Sequence, residues 1–348
     1  MAYSSIVKPS VYFNTKLYTG NGGTNAITGV GFQPDFNWLK NRSNTGEHIL
    51  VDAVRGMYNI RSNSTTAQSA NGSSHQQSLD SDGFTVAGTG ANSNANGNTF
   101  ASWNWKANGA GSANTAGSIN STVSANTTSG FSIVKYTGNG SSGATVGHGL
   151  TTTAPKIVLI KTTSGADAWT MLNTNIDLNK YLSLNSNSAE ISDPMFNNTA
   201  PTTTVFTLDG DGQVNGNGVS LIAYCFSEVT GYSKFGSYKG NGANFDNAFV
   251  YTGFKPSLVI IKKSNTTGNW VIEDNKRAGY NQANYHLYPN LTNAEGTNYY
   301  TDFLSNGFKI RDNPSDIGES GHTYIYMAFA EEPLVANSGS NGVPATAR

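Results

Sequence analysis

One spacing, repeated three times, limits what this chain can fold into. Pro34, Pro155 and Pro256 are each followed six residues later by a lysine: Lys40, Lys161 and Lys262. Eighteen residues after each proline stands Asp52, Asn173 or Asp274. An apolar run leads to each lysine (FNWLK, IVLIK, LVIIK), then a polar loop, then a second apolar strand. Three unrelated strand–loop–strand segments would not share both offsets, so the chain is a tandem array of one unit. The repeat extends further. Tyr-X-Gly-Asn-Gly lies upstream at 18–22, 136–140 and 238–242, and an aromatic-ended strand closes each unit at 101–105, 222–226 and 325–329. The Gly-Asn-Gly asparagine recurs after 118 residues and then after 102 (Asn21, Asn139, Asn241). A period of that length belongs to whole domains rather than to the coils of a solenoid.

Within each unit the apolar runs are short, bounded by Gly, Asn, Pro or Thr, and β in character. The predicted fold is all-β: three tandem β-sandwich, jelly-roll-like repeats of about 100 residues. The expected boundaries are an N-terminal arm, 1–10; repeats at 11–108, 130–235 and 236–335; a linker, 109–129; and an extended tail, 336–348. The linker reading rests on residues 107–129, which are Gly, Ala, Ser, Asn and Thr apart from Ile119 and Val123. Such a composition buries no core. The second and third repeats, nearly spacerless, are expected to touch, and the first to swing free.

Only 12% of the 348 residues are charged and the net charge is −1, so the surface must be made polar by Asn, Ser, Thr and Gly. Without a basic excess nucleic acid is not an expected partner. Without an apolar run of membrane-spanning length no insertion is expected, and the first residues lack the apolar core of a signal peptide. The single Cys225 excludes an intrachain disulfide and reads as a buried hydrophobe.

No nucleophile elbow, zinc-binding His pair or P-loop is present. Asp80-Ser-Asp82-Gly and Asp209-Gly-Asp211-Gly start like calcium loops but lack the closing glutamate, and read as hairpin tips. No catalytic residue, metal ligand or cofactor is therefore predicted. Trp169 and Trp270 occupy the same repeat position, where the first repeat has His48. They are either core aromatics or platforms on which a sugar face stacks. In the second case the loops at 41–46, 162–167 and 263–269 carry the site, and Lys262, Lys263 and Arg42 add contacts to an acidic sugar.

TGNG ahead of GF-x-P, the loop Lys40-Asn41-Arg42-Ser43, YCFSEV at 224–229, GYSKF at 231–235, AFAEEP at 328–333 and the ending VPATAR form a distinctive set. On these strings the chain resembles virion structural proteins of marine tailed phages, tail-fibre or minor structural proteins with a triplicated domain of unknown function. The resemblance implies a virion protein made in the host cytoplasm, bound to other virion proteins. A homo-oligomer is expected as well, with a trimer favoured. The expected role is a tail-fibre adhesin contacting a host-surface glycan. The alternatives are a capsid decoration or tail adaptor that binds only virion proteins, and a glycan-degrading tailspike.

Overall fold

The computed structural model describes Ser4, residues 6–333 and the short strands Val335–Ala336 and Val343–Pro344. The predicted tail at 336–348 thus lies largely outside the described residues. The chain is almost entirely β. The first unit contains β1 (Phe13–Thr19), β2 (Asn25–Thr28), β3 (Phe36–Asn41), β4 (Ile49–Asp52), β5 (Gly56–Arg61), β6 (Ser69–Ala70), β7 (Gln76–Asp80), β8 (Gly83–Val86) and β9 (Thr99–Trp105). Next come β10 (Ser112–Asn114) and β11 (Ser121–Asn126). The second unit follows: β12 (Phe131–Thr137), β13 (Ala144–Gly147), β14 (Ile157–Thr162), β15 (Thr170–Asn173), β16 (Lys180–Tyr181), β17 (Ile191–Ser192), β18 (Val205–Leu208) and β19 (Ser220–Phe226). The third has β20 (Ser233–Lys239), β21 (Phe249–Tyr251), β22 (Phe254–Lys263), β23 (Trp270–Asp274), β24 (Thr301–Leu304), β25 (Gly307–Ile310) and β26 (Thr323–Pro333).

The same antiparallel order occurs three times: β1-β9-β3-β4, β12-β19-β14-β15 and β20-β26-β22-β23. Each of these main sheets is backed by a smaller one, β2-β8-β7, β13-β18 or β21-β25-β24. The second layer is smaller than that of a jelly roll, whose eight strands form two equal sheets. Register fixes the correspondence between units, because Phe36 faces Trp105, Ile157 faces Phe226 and Leu258 faces Phe329.

Both faces of every main sheet are buried, and the strand period of two divides them. In β14, Val158 and Ile160 turn to the second unit's own core with Val146 and Phe206, while Ile157 and Leu159 join a core shared by all three units. β3 does the same, with Leu39 facing its own small sheet and Phe36 and Trp38 the shared core. The closing strands bring Trp105, Phe226 and Phe329 together as a triangle of rings, with centroids 6.3, 5.5 and 5.8 Å apart. The units therefore surround one pseudo-threefold axis.

This arrangement overturns the expectation that the first unit swings free. The expected linker is also structured: β11 pairs along β12, β10 pairs with β11, and Ile119 and Val123 are buried in the second unit's core. Its two isolated apolar residues are what anchor it. In the N-terminal arm, Ile6 reaches the shared core and Ser4 Oγ donates to Ile6 O and Thr230 O. The third unit begins at Ser233, a few residues before the expected 236.

The Gly-Asn-Gly turns have one construction. A Cβ on Gly20, Gly138 or Gly240 would lie 2.3–2.4 Å from a backbone oxygen of the facing loop, so the first glycine is required by close approach. The N–H of Asn21 and Asn139 is accepted by an asparagine of that facing loop, Asn94 or Asn215; the third unit has Gly318 there, and Asn247, six residues after Asn241, accepts instead.

Candidate functional site

The two offsets that reveal the repeat mark the seams between units. Lys161 of the second unit donates from Nζ to Thr65 O of the first (3.0 Å), Lys262 of the third to Asn187 O of the second (3.5 Å), and Lys40 of the first to Thr292 O of the third (3.2 Å). All three are fully buried. Burial lowers each ammonium to about 8, opposed by Glu47 at Lys40, Asp167 at Lys161 and Asp316 at Lys262.

A second layer follows the same direction around the ring. Trp169 Nε1 of the second unit donates to Arg61 O of the first, at 2.8 Å. Trp270 Nε1 of the third donates to Ser183 O of the second, at 2.9 Å. In the first unit His48 takes the place and accepts from Trp38 Nε1 at 2.9 Å, while its buried Nε2 has no hydrogen-bond partner among the described residues.

The positions eighteen after the prolines form a third layer. Asp52 accepts Tyr224 Oη of the second unit at 2.7 Å and is paired with Arg55. Asp274 accepts Trp103 Nε1 of the first unit at 3.0 Å and is paired with Arg277. On the remaining seam the corresponding residues are Met327 and Asn173, and Asn173 Nδ2 has no hydrogen-bond partner.

The candidate glycan residues are thereby relocated. Trp169 and Trp270 have no exposure and are core aromatics, which corrects the platform reading. Lys262 is spent on the seam. Lys263 is buried and paired with Glu319 at 2.7 Å. Arg42 is forked onto Glu295 of the third unit, which also binds Arg277. The lysines and tryptophans recur together because both stitch units to each other; they do not converge on a cleft. Cys225 is buried in the second unit's core, where burial pushes its thiol up to about 12.

Two spaces remain. On the axis, beside the aromatic triangle, lies a cavity of ≈ 20 Å³ lined by apolar surface of Phe36, Trp38, Leu159, Tyr224, Ile260 and Met327 among others. With no polar partner for a water it is a dry packing void. At the surface, an open groove of ≈ 320 Å³ is lined by Thr127, Thr128, Thr152, Thr153 and residues 228–230. Glu228 is its one carboxylate, already engaged by Lys234 and the Phe235 N–H. Sequence reading missed this groove because its threonines come from three separate turns. Among the described residues no group of three or more His, Cys, Asp or Glu could hold a metal ion.

One interior group stands apart. Glu273 falls at the position of Val51 and Leu172, inside the third unit, and neither carboxylate oxygen has a partner. Burial raises it to about 7, with the charge of Arg277 opposing and that of Asp274 adding to the rise.

No curated protein and no solved structure matches the chain. A single family model spans the three units together, over residues 8–333, and the chain belongs to that family, described as Domain of unknown function (DUF7483).

Proposed function

We propose that this chain is a structural component of a tailed-phage virion that docks onto other virion proteins, as a capsid decoration or tail-adaptor piece. The observation that carries this reading is the closed ring, in which one chain sets three like units about an axis and seals them with an aromatic triangle and directed seams. A single copy then presents three similarly placed loop clusters, as a threefold or quasi-threefold seat requires. The particle itself comes from the resemblance of the AFAEEP and YCFSEV strings. In this reading the threefold is supplied within one chain, with no homotrimer required. The test is to locate the protein on purified particles by cryo-microscopy. Its absence from particles, or a site away from any threefold or quasi-threefold position, would overturn the proposal.

The adhesin reading keeps one observation in its favour, the threonine-lined groove, whose neutral hydroxyls suit a sugar. A tailspike glycosidase needs two facing carboxylates, and the groove offers Glu228 alone. Thr152→Val with Thr153→Val should leave host adsorption unchanged if the protein is structural and abolish it if the groove binds receptor.

A further inference from the structure

The third unit leaves one sheet edge open and lined with aromatics. β21 is the outer strand of β21-β25-β24. Ile310 N donates to Ala248 O and Thr252 N to Asn306 O, so Val250 is a hydrogen-bonded partner of Phe308. By antiparallel alternation the backbone groups of Phe249 and Tyr251 then point away from the sheet. Their side chains are 48% and 60% exposed, and Phe245, just upstream, is 67% exposed. The corresponding residues are Ala26 and Thr28 in the first unit and Thr145 and Gly147 in the second. Only the third unit has aromatics there. β21 also carries no charge or proline, the usual guards of an edge strand.

The second unit shows how this edge is satisfied. Ile119 N donates to Thr145 O at 2.9 Å, Ser118 Oγ accepts from Thr145 N at 2.8 Å, and Ser121 Oγ donates to Gly147 O at 3.1 Å. An added segment thus takes the outward groups of β13, which correspond to those of Phe249 and Tyr251. Among the described residues no segment does so for β21.

We propose that β21 is an interface between two copies of this chain, joined edge to edge and antiparallel, so that two three-stranded sheets become one of six. The Phe-Val-Tyr edge is self-complementary. A twofold axis at Val250 sets Phe249 of each copy opposite Tyr251 of the other, and each such pair exchanges both N–H···O bonds. The two aromatic pairs stack on the outer face, and the interface is isologous. The proposal does not rest on the virion reading.

The test is the mass of the full chain by sedimentation from micromolar to submillimolar concentration. The parent is expected to form a dimer. Phe249→Thr with Tyr251→Gly should weaken association about tenfold or more by removing both aromatic pairs, with the far-ultraviolet circular dichroism of the folded chain unchanged. Hydrogen exchange at the Phe249 and Tyr251 amides gives a reading on the parent alone: protected when concentrated, exchanging on dilution. A monomer at every concentration overturns the proposal, as does a dimer that survives the double substitution. Amides protected equally at all dilutions overturn it too, because a segment of the same chain then covers the edge.

Discussion

Glu273 makes the sharpest prediction for stability. Its carboxylate is fully buried without a hydrogen bond, where the other two units have valine and leucine. Folding raises it from 4.5 to about 7. Below pH 4.5 it is protonated in both states and has no effect on stability through ionisation. Between 4.5 and 7 only the folded chain holds the proton, so stability falls as pH rises, and above 7 the loss is complete. At about 1.4 kcal/mol per pKa unit the loss is about 3 kcal/mol. For a chain of this length, unfolding entropy of about 2.1 cal/mol/K per residue turns that into a melting shift of about 4 °C. Glu273→Leu should therefore melt about 4 °C above the parent at pH 8, with the gap narrowing toward pH 4.5. Burial depresses His48, His75, His148 and His286, which act in the opposite sense over the acid part of this window. Only the difference between variant and parent isolates Glu273. Calorimetry of Glu273→Leu and Glu273→Gln at closely spaced pH values measures it. A parent-minus-variant curve that is flat from pH 4.5 to 8 would refute the reasoning, because Glu273 would then not titrate in the folded chain.

Trp270→Ala should cost about 3–5 kcal/mol, the usual result of truncating a core aromatic, and would strand Ser183 O at the seam. A variant that melts like the parent would show that the ring is not core. The seam lysines, lowered to about 8, lose their protons in the folded chain before the unfolded one, so stability should rise from pH 8 toward 10.5. Lys161→Met should remove one proton's share of that slope, and an unchanged slope in urea titrations would contradict it. The 119–126 segment should resist elastase until the chain unfolds globally, since β11 is paired and its apolar residues are buried. Early cleavage there would contradict the observed pairing.

The repeat was legible because Pro-x5-Lys-x11-Asp/Asn reports a rigid register. All three lysines and both aspartates bond a counterpart on a neighbouring unit, which holds the two offsets in place; only Asn173 lacks such a bond among the described residues. What those counterparts are was not legible. A lysine ending an apolar strand reads equally as a surface charge or as a buried donor to a carbonyl, and only the third dimension separates the two. The tryptophans were open for the same reason, since Arg61 and Ser183 contribute backbone oxygens and leave no side-chain signature. Residues 107–129 misled because their small side chains look unable to build a core. A strand that joins an existing sheet needs only its backbone and, here, Ile119 and Val123.

The direction of the seams has a consequence for synthesis. The second unit donates to the first and the third to the second, so both of those contacts form between neighbours as the chain emerges from the ribosome. The last seam joins the first unit to the third: Lys40 reaches Thr292, 252 residues further along the chain, and Trp103 reaches Asp274. Until β26 is translated the first unit must wait with one flank of its shared core uncovered. That flank includes Arg42, which pairs with Glu295, and Trp103, which donates to Asp274. The nascent chain is an open arc, and its final strand is the keystone that lets the arc close.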